Sequence, residues 1–126
     1  MPIVDMQFEE GIFFARELGR IEKEDAEAWA DAARHYAELS PSPIVALVDA
    51  LEVTHVTAMA RQVFALASGI PGLKVASVAT SDASVTQTAQ IIGLMARNHH
   101  TYVFPTLEQA RIFAEAQAEA ARSGGR

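Results

Sequence analysis

Five consecutive apolar residues, Ile44-Val45-Ala46-Leu47-Val48, closed by Asp49, set the tightest limit on what this chain can fold into. A strand that is apolar at every position points apolar side chains to both faces of its sheet, so both faces must be covered. That is the situation of a central strand in a parallel sheet with helices packed over it. The flanking sequence supplies such helices. Before the run, Ala26, Trp29, Ala30, Ala33, Tyr36 and Ala37 recur at three- and four-residue steps, one face of an amphipathic helix. Glu22, Glu24 and Asp25 stand at its start, where negative charge complements the helix dipole, and Ser40-Pro41-Ser42-Pro43 stops it. After the run, Val56, Met59, Ala60, Val63, Phe64 and Ala67 repeat the pattern up to Gly69.

The remaining elements follow the same logic. Ile3 to Phe8 alternates, and Glu9-Glu10-Gly11 offers a turn before a second strand, Ile12 to Leu18, which makes an antiparallel hairpin. Leu73 to Ala79 is a further strand. Ser84-Val85-Thr86-Gln87 has capping-box spacing and opens a helix with Val85, Ala89, Ile92, Met95 and Ala96 inward. Thr101 to Phe104 is a short strand, and Thr106-Leu107-Glu108-Gln109 opens a last, Ala-rich helix. The order β-β-α-β-α-β-α-β-α predicts a mixed sheet with helices packed on it, an α/β single domain over residues 1–122 with a flexible tail over 123–126. With 126 residues, 50% of them hydrophobic and 21% charged, there is room for one domain with a modest core.

Charge narrows the partners. A net charge of −6, with ten Lys and Arg scattered along the chain, points away from nucleic acid and from anionic membrane surfaces, both of which are bound through clustered basic residues. No apolar stretch approaches the roughly 20 residues that insert into a bilayer. The absence of cysteine removes thiolate nucleophiles and cysteine metal sites, and fits a cytoplasmic location.

In α/β sheets ligands gather beyond the carboxyl ends of the strands, which directs attention to Ile44 through Met59. A strand closed by Asp49, a short loop and a hydroxyl-bearing helix start resemble the central segment of STAS domains, the class of anti-sigma-factor antagonists. The element order, with the closing segment Tyr102-Val103-Phe104-Pro105-Thr106-Leu107-Glu108-Gln109-Ala110, resembles the small bacterial SpoIIAA-like family of STAS/SEC14 type. The resemblance implies a non-enzymatic interaction or regulatory module that binds a partner protein through Asp49, Thr54, His55 and Thr57, and the apolar surplus of the third helix adds the expectation of a homodimer. The SEC14 side of the resemblance implies the alternative, a carrier or sensor of a small apolar or lipid-like ligand. The regulatory STAS pattern has Asp-Ser-Ser at this helix start, and here Thr57-Ala58-Met59 stands instead, without the phosphoacceptor serine.

No catalytic residue, cofactor or metal ligand is expected. Asp49 lacks the acidic partners and the later lysine of a receiver domain. It is expected to end its strand and satisfy the loop. His55 has no orienting carboxylate. Adjacent His99 and His100 point different ways on regular structure and lack further ligands at metal spacing. Gly69-Ile70-Pro71-Gly72 precedes a strand, whereas a phosphate loop follows one. The third helix carries Ile91 and Leu94 beyond its inward stripe, apolar surplus that suits a subunit interface or an apolar ligand.

Overall fold

The computed structural model describes residues 2–95 and 101–124. Its elements are β1 (Ile3–Glu9), β2 (Ile12–Ile21), α1 (Lys23–Leu39), β3 (Ile44–Val56), α2 (Ala58–Ala67), β4 (Leu73–Ala79), α3 (Ala83–Met95), β5 (Thr101–Phe104) and α4 (Leu107–Gly124). Ala96, His99 and His100 lie outside the described residues. The five strands lie side by side in sequence order, β1-β2-β3-β4-β5. β1 is antiparallel to β2, and every later pair is parallel. The hairpin turns at Glu10 and Gly11, both at positive φ, as a two-residue primed turn requires.

This strand order fixes where the helices go. Parallel crossovers are right-handed as a rule, and three that step the same way along a sheet put their helices on one face, where α1, α2 and α3 share one core. Phe13, Ala15, Ile44, Ala46 and Val48 face them in the larger core, with Ala26, Trp29, Ala30, Ala33, Ala60, Ala67 and Val85 from the helices. α4 alone covers the other face. Its inward stripe, Ala110, Ala114 and Ala118, packs against Val45, Leu47, Val75 and Ala79. Alanine at each of these positions lets the helix lie close to the strands, and the Ser77 hydroxyl donates to the Ala110 carbonyl at 2.8 Å.

Three local expectations need correction. β3 does not end at Asp49 but continues to Val56, because Leu18–Ile21 of β2 offers a partner for Glu52–Val56 beyond the reach of β4. Val56 therefore belongs to the strand, and α2 begins at Ala58 with Met59 facing solvent. The cap of α3 is Asp82, whose carboxylate accepts from the Val85 amide at 3.0 Å, in place of Ser84. At α4, Thr106 does cap, accepting from the Gln109 amide at 3.1 Å.

Candidate functional site

The segment expected to form a binding loop is a strand, and its polar residues do not converge. Asp49 lies inside β3 on the α4 side of the sheet. It accepts from Arg16 Nε at 3.0 Å, while Arg16 Nη1 donates to Asp5 at 2.7 Å. The three residues tie β1, β2 and β3 together, and Asp5 reaches Arg16 from a β1 bulge where its φ is +54°. Asp49 also accepts from the Leu51 amide at 3.2 Å. Thr57 spends its hydroxyl on the Ala60 amide at 3.1 Å, capping α2. Thr54 and His55 are exposed on the terminal stretch of β3, and neither side chain has a hydrogen-bond or ionic partner among the described residues. Ile91 and Leu94 are exposed on α3.

A sheet whose strands follow sequence order has no topological switch point, so no crevice opens at the strand ends. Space is left elsewhere, between the sheet and the three helices. Val48, Ala50, Ala76 and Val78 form the sheet side of a cavity. Trp29 of α1, Phe64 of α2, and Val85, Ala89 and Ile92 of α3 form the helix side. Small side chains at Ala50, Ala76 and Ala89 line it without filling it. Its volume is about 80 Å³. An engineered apolar cavity of about 150 Å³ stays dry and binds benzene.

One titratable residue lines this cavity, and it is Glu17 of β2. Alternation along β2 puts Phe13, Ala15 and Glu17 on the same buried face. The carboxyl has no hydrogen-bond partner among the described residues, although the residue is only 6% exposed. Burial, with added repulsion from Asp25 in the first turn of α1, pushes its pKa up to about 8. Glu17 is therefore neutral at pH 7, both a donor and an acceptor. Trp29, in the same cavity wall, also has an indole Nε1–H that is buried without a partner. An unpaired buried polar group costs free energy, and the Trp29 indole N–H is the one such side-chain atom among the described residues. Sequence reasoning passed over Glu17, although the stripe Phe13-Ala15-Glu17 was legible: a carboxylate on the core face of a strand is the signal.

No other titratable side chain lines the cavity among the described residues. The described residues also contain no cluster of three His, Asp or Glu able to hold a metal ion. No described helix is long and apolar enough to cross a membrane.

No family model matches the chain, and comparison with curated proteins gives no match. Among solved structures it is similar to an uncharacterised protein of the DUF3478 family from Shewanella loihica PV-4, whose fold is described as SpoIIAA-like. The TM-score is 0.64 at 15% sequence identity, and the match covers 89% of this chain and 93% of that one. An identity this low bears on architecture and not on activity. The chain has a SpoIIAA-like fold.

Proposed function

We propose that this domain is a non-catalytic carrier or sensor of a small apolar ligand held between the sheet and helices α1–α3. The carrying observation is the apolar cavity with Glu17 and Trp29 in its wall. A stability-driven core would fill that space and would not bury an unpaired carboxyl beside it. Trp29 is the single tryptophan of the chain, so its fluorescence reports on the cavity directly. Xenon, an apolar heavy atom, is expected to quench Trp29 in the wild type and much less in Ala89→Leu, where the added carbons occupy the space. Equal quenching of the two proteins would sink the proposal.

A second reading is favoured by a separate observation. Leu66 of α2 and Leu94 of α3 are 81% and 82% exposed, and Met59 and Ile91 are exposed on the same two helices. Apolar surplus of this kind suits a homodimer or a partner protein. On this reading, light scattering gives twice the chain mass of 13.6 kDa, and Leu94→Lys returns the single-chain mass. A wild type that already scatters as one chain rules out the homodimer.

A further inference from the structure

We propose that the ligand of this cavity is a small neutral compound carrying a hydroxyl or amide group, seated on the Glu17 carboxyl. This rests on the cavity being a ligand site, and adds what the occupant must be.

The chemistry of the wall selects the group. Glu17 is nine-tenths buried, unpartnered, and surrounded in the cavity by aliphatic and aromatic side chains. A protonated carboxyl offers one O–H donor and one carbonyl acceptor. A hydroxyl or an amide can answer both, because a hydroxyl oxygen donates and accepts and an amide donates through its N–H and accepts through its carbonyl oxygen. A plain hydrocarbon answers neither and leaves the carboxyl unpaired. An anionic ligand would set a second negative charge near Asp25, which already faces Glu17 from α1. No basic side chain lines the cavity among the described residues to offset it. An ammonium ligand would draw Glu17 into a buried ion pair, whose formation strips water from two charges at once. The indole of Trp29 argues the same way: its N–H only donates, and an ammonium has no acceptor to give it.

Ser68 of the wall is spent, donating to the Phe64 carbonyl at 3.1 Å within α2. The polar groups left in the wall are the Glu17 carboxyl, the Trp29 indole and the hydroxyls of Thr88 and Thr101, with an apolar body expected along Val48, Val78, Phe64 and Ile92.

The test is a matched series on the intact chain at pH 6, read by Trp29 fluorescence: cyclopentane, cyclopentanol, cyclopentanecarboxylate and cyclopentylammonium. Cyclopentanol is expected to bind about tenfold tighter than cyclopentane, the value of one net hydrogen bond, with both ions weakest. Glu17→Leu should erase the preference for the alcohol, and Glu17→Gln, whose amide also donates and accepts, should keep it. Equal affinity for cyclopentane and cyclopentanol, a preference for either ion, or an alcohol preference that survives in Glu17→Leu overturns the assignment while leaving the cavity reading intact. Failure of all four compounds, together with no effect of Ala89→Leu on xenon quenching, removes both.

Discussion

Glu17 links folding stability to pH through one proton. The folded chain holds that proton up to about pH 8, whereas an unfolded glutamate gives it up near its ordinary value of 4.5. Between those limits the native state binds more protons than the unfolded one, so stability falls as pH rises and levels off above about 8. The slope from this group is at most about 1.4 kcal/mol per pH unit. In Glu17→Gln this contribution vanishes, and urea unfolding at pH 5.5 and pH 8 should show a smaller loss of stability than in the wild type. Identical losses in the two proteins would mean that Glu17 is ionised in the native state. Thr57 is a plainer residue-scale case. Its hydroxyl accepts from the Ala60 amide, and Thr57→Ala should cost about 1 kcal/mol of stability, as loss of a helix cap does. A larger loss would show that the hydroxyl does more than cap. Both residues were visible in the sequence. The sequence offers Thr57 as a binding residue, and its capping bond follows a local rule, whereas the meaning of Glu17 depends on what α2 and α3 put opposite it.

At the scale of elements, the legible parts were those whose pattern is self-contained. The double-faced apolar run of Ile44–Val48, the alanine and tryptophan stripe of α1 and the Glu10-Gly11 turn each carry their own signal. The far half of β3 does not. Leu51-Glu52-Val53-Thr54-His55-Val56 buries only Val53 and Val56, and its strand character comes from pairing with β2. A segment whose state is set by a partner about 35 residues away reads as a loop when taken alone. The α4 stripe offers the sharpest element-level test. Ala114 is fully buried against the sheet, in the middle of the alanine stripe through which α4 lies close to the strands. Ala114→Leu should cost about 1–3 kcal/mol by forcing helix and strands apart. The same change at Ala116, exposed on α4, should fall within about 0.5 kcal/mol. Chemical denaturation of the two variants makes the comparison, and equal effects would contradict the close packing.

For the whole molecule, the strand order decides more than any single residue. Strands in sequence order send three helices to one face and one to the other, and leave no crevice at the strand ends. The expectation of a site around Asp49 rests on a rule for sheets whose order reverses, and this sheet does not reverse. Order along the sheet cannot be read from periodicity, which is why the elements are legible in the sequence and the space between sheet and helices is not. That space is half open to solvent, and its unfilled apolar volume has a stability consequence. Empty apolar volume is destabilising, because its lining forfeits contacts on one side. Ala89→Leu adds three carbons from α3 into that volume. If the added side chain fits, the variant gains about 0.5–2 kcal/mol, within the range of successful cavity filling. For a chain of this size that raises Tm by roughly 2–8 °C. The gain should come with loss of the Trp29 response to cyclopentanol, since ligand and leucine compete for one space. A variant that is stabilised yet still answers cyclopentanol would place the ligand elsewhere. A variant destabilised by more than about 1 kcal/mol would mean that this region of the core is already closed to added volume.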